Sequence, residues 1–329
     1  MIRHNIKQSV RGMLKNKTFT FLNLAGFAVG FAVCIIIMIF AYREYTTDTS
    51  FPNAENIYRL VDAKTKSSEI DNEIVSELKK FPDIKQVTSV FYANFADDEG
   101  QPEFLLDVEK GNYIEAKNPF ITTNNDFFPI FGIKTLVSKT HQPFTNNKTI
   151  VLTRSVAMRL FGKIDVLDKV VKKDDALFTV SAVVEDMPEN SSMNAGYFIH
   201  CKNPDYVVSV TNDDAGRFFP HNIYIVLNDN TNIAQFTKTL NANFPKNKSL
   251  TTSVQLQPFL DIYLNNYAKE NQNKAANKSL IWIFLTIALL TLIMSIFNYA
   301  NFMISRQMAT LKNSGIRITN GALRRQIRT

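Results

Sequence analysis

Acidic side chains are missing from both ends of this 329-residue chain. The first 17 residues carry Arg3, Lys7, Arg11, Lys15 and Lys17 without one Asp or Glu. The last 24 carry Arg306, Lys312, Arg317, Arg324, Arg325 and Arg328, again without one. Charge of either sign is absent from Thr18 to Tyr42 and from Ser279 to Ser305. Cysteine is scarce: Cys34 lies in the first uncharged stretch and Cys201 far from it, so the two do not pair, and a disulfide scaffold is excluded. With 11 Gly and 11 Pro, collagen-like and disordered compositions are excluded too.

Catalytic signatures are also absent. Phe161-Gly162-Lys163 is the nearest approach to a phosphate-binding loop, but Ile164 follows and the earlier glycine is missing. His4, His141, His200 and His221 show no metal-ligand spacing, and His200-Cys201 has no second pair to complete a zinc site. No Gly-x-Ser-x-Gly elbow occurs. Asp97, Asp98 and Glu99 read as a solvated turn before Gly100. The chain is therefore expected not to be an enzyme and to hold no cofactor or metal.

What is present is segregation. Each uncharged stretch is long enough to cross a bilayer, about 20 residues being needed. Leu, Ile, Val and Phe make up 13 of the first 25 residues and 14 of the second 27. At roughly −0.3 to −0.6 kcal/mol each, either inserts favourably. The first is too long for a signal-peptide core, and Val33 before Cys34 is a poor cleavage position, so it reads as a retained anchor. All 30 acidic residues lie between Arg43 and Lys278, so the middle is slightly acidic and the positive excess sits at the two flanks. Such a distribution disfavours a nucleic-acid partner and favours lipid. Basic flanks stay cytoplasmic, so both termini are expected inside and the middle outside.

Five segments follow. Residues 1–17 place Ile2, Ile6, Val10 and Met13 at helical spacing between basic residues, as an amphipathic surface helix does, a disordered basic tail being the alternative. Residues 18–42 are the first span, in which Gly26 and Gly30 make a small-residue pair suited to close helix packing. Residues 43–278 alternate strand and helix signals in an α+β domain of one or two lobes. Its expected strands are Asn56–Val61, Ile84–Phe95, Glu103–Val108, Thr149–Leu152, a hairpin over Lys169–Val184 turning near Lys172–Asp175, Asn222–Leu227 and Val254–Leu264. Expected helices are capped by Ser67 or Ser68, by Asp126 and by Asn232, and another runs from Arg154 to a stop at Gly162. Asn265–Lys278 is either a linker or a helical stalk continuous with the second span. Residues 279–305 are that span, and 306–329 form a basic tail.

This order of segments resembles the permease subunit of MacB/FtsX-type ABC systems, in the form common in Bacteroidetes, over essentially the whole length. Asp126–Phe131, Ile150–Thr153 with Leu160-Phe161-Gly162, Val180–Pro188 and Leu256–Leu264 are similar to recurring segments of their extracytoplasmic core domain. Gly315-Ile316-Arg317 and Gly321-Ala322 are similar to the stretch that docks on the ATPase subunit, although Asn313 and Ser314 stand for the usual Glu-Ile and Ile318 for the usual Lys. The resemblance implies a two-lobed periplasmic core between two transmembrane helices in the inner membrane. It implies ATP bound by a partner ABC ATPase, with no cofactor in this chain. It also implies a second permease copy or a missing C-terminal half, since the family continues into further spans. The role would be mechanotransmission, export or efflux. A two-span sensor with an extracytoplasmic ligand-binding domain is the alternative, and an enzyme tethered at both ends a weaker one.

Overall fold

The computed structural model describes residues 17–93, 104–115, 120–203, 210–212, 216–218, 220–244, 251–271 and 273–320. The basic segment Ile2–Met13, the Asp97–Glu99 turn and Gly321-Ala322 lie outside them. The chain divides into two units, one formed by the two terminal segments up to Glu44 and from Asn277, the other by Tyr45–Ala276. The first unit contains helices α1 (Lys17–Tyr45) and α7 (Lys278–Thr319).

The second unit is a mixed sheet covered on both faces. Its strands are β1 (Ile57–Asp62), β2 (Ile70–Asp71), β3 (Ile84–Ala93), β4 (Phe104–Asp107), β5 (Tyr113–Glu115), β6 (Phe120–Thr123), β7 (Thr135–Ser138), β8 (Thr149–Thr153), β9 (Val170–Lys173), β10 (Ala176–Val184), β11 (Tyr197–His200), β14 (Pro220–Leu227) and β15 (Val254–Pro258). A separate ribbon pairs β12 (Val210–Asn212) with β13 (Gly216–Phe218). The main sheet runs β15-β1-β14-β3-β6-β11-β8-β10-β9-β4-β5, with β2 on β14 and β7 on β10. β6 with β11 and β8 with β10 are parallel, and the other pairs are antiparallel. Strands buried on both faces lose the in-out alternation, and β1 and β8 are buried at every position.

The two faces are organised differently. On one, Ile57, Val90, Ile121, Val151, Phe198 and Tyr224 belong to a single apolar cluster. On the other, there are two clusters. Leu60, Val87, Ile223 and Ile225 pack with Phe236 and Leu240 of α5 (Ile233–Ala242). Phe120, Ile150, Leu152 and Ile199 pack with Val156 and Leu160 of α4 (Arg154–Phe161). The two lobes are therefore features of one face of a continuous sheet.

Local signals explain most elements. Gly162 ends α4 with φ +73°, where a side chain would be strained. Asn232 caps α5 by accepting from the Gln235 N–H. The β9–β10 hairpin turns at Asp174, whose φ is +52°. Several elements differ from expectation. Neither Ser67 nor Ser68 caps a helix; Ser68 Oγ instead donates to the Glu270 carbonyl at 2.9 Å. A 3-10 turn over Asn72–Ile74, capped by Asp71, leads into α2 (Val75–Leu78), and Ile70, Ile74 and Leu78 are still buried because a spacing of four suits both arrangements. Asp126 precedes α3 (Phe127–Ile130) but makes no side-chain cap; it pairs with Lys79 at 2.6 Å. The final strand stops at Pro258, which starts α6 (Phe259–Leu264), and Phe259 and Ile262 are buried at helical spacing. Residues 265–277 contain no helix among those described, so the stalk alternative fails; α7 begins at Lys278, where the Leu280 N–H donates to Asn277 Oδ1.

Candidate functional site: an antiparallel helix pair

α1 and α7 both contain windows apolar and long enough to cross a membrane: Leu24–Tyr45, with mean hydropathy 2.7, and Lys278–Ile304, with 2.6. Their large apolar side chains face outward, among them Leu24, Ile36, Trp282 and Phe297, with Met294 74% exposed. In water such a surface would be costly at about 25 cal/mol per Å². In hydrocarbon it costs nothing.

Small residues lie on the inner seam. Gly26 faces Asn298, Gly30 faces Ser295 and Thr291, and the Cys34 thiol donates to the Ala288 carbonyl oxygen at 3.2 Å. Phe27 meets Tyr299 with ring centroids 6.0 Å apart, and Phe40 meets Phe284 edge-on at 5.4 Å. As the number rises along α1 it falls along α7, so the helices run antiparallel. On α7 the contacts fall at Phe284, Ala288, Thr291, Ser295 and Asn298, spaced alternately four and three. On α1 the matching residues Gly26, Gly30 and Cys34 are spaced by four, the spacing of small residues that lets two backbones approach closely. A Cβ added to Gly30 would overlap Ser295 Oγ, whereas one at Gly26 would lie 3.0 Å from the mobile end of Asn298. The two seam hydroxyls bond within α7: Ser295 Oγ donates to Thr291 O at 2.9 Å, and Thr291 Oγ1 to Ile287 O at 2.7 Å.

The expected docking stretch lies at the other end of α7. No break separates it from the apolar window, because α7 continues through Ser305 to Thr319. Gly315, Ile316 and Arg317 share one of its turns; Gly315 has no neighbour within 4 Å of an added Cβ, and Ile316 is exposed. Thr319 Oγ1 donates to Ile316 O at 2.9 Å. The glycine seam and this turn are separate places: from Asn298 to Gly315 a helix rises by about 26 Å.

Two reactive groups in the sheet unit, the buried Cys201 and the half-buried His200, are shifted by their surroundings. Burial raises the Cys201 thiol above its ordinary range, and burial followed by the Lys202 charge lowers His200, whose Nδ1 accepts from the Lys202 N–H at 3.1 Å. Both line a polar cleft of about 730 Å³ with Asn72, Lys79, Asn124 and Asp126. Among the described residues no three His, Cys, Asp or Glu side chains come together as a metal site.

Sequence reasoning passed over Asp48, three residues beyond α1. It is fully buried, with φ +66°. Its Oδ1 accepts from Ser192 N at 2.7 Å and from Ser191 Oγ at 3.0 Å. Burial raises its pKa against the lowering effect of these hydrogen bonds. A raised carboxyl pKa means a stabilising contribution complete below the unfolded value, about 3.9, and lost as pH rises through the folded one. Asp48→Asn keeps the acceptor, removes the charge and suits the left-handed backbone. It is expected to raise the unfolding temperature at pH 7, with a gain that vanishes near pH 3.5. Thermal unfolding at both pH values checks this, and an equal effect at both would refute it.

The MacB-like periplasmic core domain family matches residues 20–243. No curated protein matches the chain. Similar solved structures include a domain of a putative permease protein from Porphyromonas gingivalis, at 16% identity and a TM-score of 0.50, covering 72% of this chain and 99% of that one. They also include the periplasmic region of MacB from Actinobacillus actinomycetemcomitans, at 15% identity and 0.44, covering 63% and 90%. A third is the extracellular domain of the noncanonic ABC-type transporter YknZ from Gram-positive bacteria, at 14% and 0.41, covering 61% and 100%. At these identities the likeness is one of fold.

Proposed function

The chain belongs to the MacB-like periplasmic core domain family, that of MacB/FtsX-like ABC permeases, and from that premise we propose that it is a non-catalytic membrane subunit passing force between an ABC ATPase and its own sheet domain. The partner binds ATP in the cytoplasm; this chain supplies helices, a docking turn and a domain that moves on the far side. Both basic ends lie in the cytoplasm of an inner-membrane protein, and a second permease copy or the remaining half of the permease completes the bundle.

The observation that supports this reading is the continuity of α7. Its 42 residues rise by about 63 Å, roughly twice the 30 Å hydrocarbon thickness. A hydrogen-bonded helix passes an axial push along its length, where a flexible linker absorbs it. The Gly315–Arg317 turn at its end presents Gly315 and Ile316 to a partner surface, and Arg317 adds a charge.

Gly315→Pro removes a backbone donor and clashes one turn back, costing about 3 kcal/mol of helix at the docking turn. Gly315→Pro and Arg317→Glu are each expected to lower recovery of the nucleotide-binding subunit with the full-length gene product by tenfold or more, without changing membrane insertion. Recovery of that subunit at the wild-type level from both variants would refute docking at this turn. If no such subunit is recovered even with the wild type, the two-span sensor takes its place.

A further inference from the structure

Two charged side chains, Arg59 and Asp48, are fully buried in the sheet unit, and no ion pair among the described residues joins them. Arg59, in β1, donates through Nη1 to Asn222 Oδ1 at 3.4 Å and to Asn271 Oδ1, and through Nη2 to Gln257 Oε1 at 2.7 Å and Asn266 Oδ1 at 3.1 Å. All these acceptors are neutral amides. Asn222 and Gln257 belong to the sheet, in β14 and β15; Asn266 and Asn271 belong to the polar segment between α6 and α7.

The same segment is tied in again at Asn273. Its backbone carbonyl accepts from Asn271 Nδ2 at 2.8 Å, its Oδ1 accepts from the Tyr224 hydroxyl at 3.1 Å, and its Nδ2 donates to Ser192 Oγ at 3.3 Å. The Lys274 N–H donates to the Ser192 carbonyl at 3.1 Å. Residues 190–192 hold the first residues of the sheet unit as well. Beside the Asp48 bonds already described, the Asp48 N–H donates to Asn190 O at 3.0 Å. Thr47 Oγ1 donates to Asn190 Oδ1 and Asn190 Nδ2 to Thr46 Oγ1, each at 3.2 Å. An unbroken path of hydrogen bonds thus runs from Thr46–Asp48 through residues 190–192 and Asn273 to Arg59.

The chain passes between its two units twice, and these segments lie in the sheet unit beside the two crossings in sequence. We propose that the Arg59–Asn273–Ser192–Asp48 network is a joint: it fastens residues 46–48 to residues 266–274, so that where the chain enters the domain and where it leaves move as one body. The use of such a joint in carrying force rests on the permease reading; its existence does not. Stability alone would not select this arrangement. Buried charge is expensive, and a well-packed apolar residue in its place is often neutral or better. Although Asp48 Oδ2, Arg59 Nε and Gln257 Nε2 are left without partners among the described residues, the remaining bonds form only in one arrangement and so fix how the network's members meet, which apolar contacts do loosely.

Hydrogen exchange of the full chain in detergent micelles, read by mass spectrometry, tests the joint. Asn273→Ala removes the contacts with Tyr224 and Ser192 without touching the guanidinium. Expected is exchange at least tenfold faster in peptides spanning 46–51 and in those spanning 265–277, with β8 and β10 unchanged. Faster exchange in 265–277 alone, in neither segment, or equally throughout the sheet would overturn the proposal. If Asn273→Ala does not fold, Asn271→Ala must give the same two-segment pattern, and the same alternatives overturn it. Because no partner is present in this measurement, failure of an ATPase to bind leaves the result standing.

Discussion

Gly30→Leu is expected to separate α1 from α7 while both stay in the membrane. Even a single Cβ at Gly30 overlaps Ser295 Oγ and lies 3.2 Å from Ser295 Cβ. The hydroxyl could turn away only by giving up its bond to Thr291 O. Three further carbons have no room, and overfilling a packed contact costs about 1–3 kcal/mol. Between helices already in lipid, little hydrophobic gain opposes that loss. The native Cys34 provides the measurement. With Ala288→Cys as its partner, oxidation in a bilayer should give an intramolecular disulfide, because the Cys34 thiol lies 3.2 Å from the carbonyl oxygen of residue 288, whose side chain is buried. Adding Gly30→Leu should lower the yield at least tenfold. Gly26→Ala should lower it little, since only the end of Asn298 must give way. Equal yields from all three proteins would show that the glycines are not a packing surface.

Gly132→Ala is expected to be the most damaging single methyl in the sheet domain. Gly132 follows α3 with φ +61°, and its added Cβ would overlap the Pro52 ring at Cγ and lie 2.7 Å from Cδ. Strain in the left-handed region adds roughly 1 kcal/mol and overpacking about 1–3. The Pro52 ring has little freedom to yield, because it sits beside Phe51, whose ring contacts Phe131 at 5.5 Å and Phe259 at 5.6 Å. A loss of roughly 3 kcal/mol lowers the melting temperature of a domain this size by about 6–12 °C. Near-ultraviolet circular dichroism of the aromatic cluster reads the transition. An unchanged midpoint would mean that the loop holding Pro52 moves freely, against the burial of Phe51 at 3% exposure.

What was legible in the sequence was local. Gly162 announced the end of α4, Asn232 the start of α5, and the β9–β10 turn was visible in its Lys-Lys-Asp-Asp run, because each signal acts within a few residues of itself. Charge segregation announced the two apolar helices for the same reason. Long-range features were hidden. β11 is four residues long and its parallel partner β6 is far away in sequence, so no hairpin signal marks it. Val254–Leu264 alternates like a strand up to Pro258, and only the contact of Phe259 and Ile262 with the core makes the rest a helix.

The candidate site divides in the same way. Gly26 and Gly30 are readable as a small-residue pair, but nothing in their neighbourhood names Asn298 and Ser295 as the side chains they meet. Polarity misled at the segment before α7. It reads as a linker or a stalk, whereas Asn266 and Asn271 bind a buried guanidinium and Asn273 is itself buried. An asparagine facing water and one facing an interior arginine have the same letter. Only the fold tells them apart.

The alternating four-and-three spacing along α7 also limits how the two rods can travel. Gly30 leaves no spare room beside Ser295, so a shift of less than a turn breaks the fit. The next setting with matching teeth is one turn away, about 5 Å along the axis, where Gly26 would meet Ser295 and Gly30 would meet Thr291. The pair therefore moves in steps rather than by smooth sliding, and a thrust too small for one step is passed on whole.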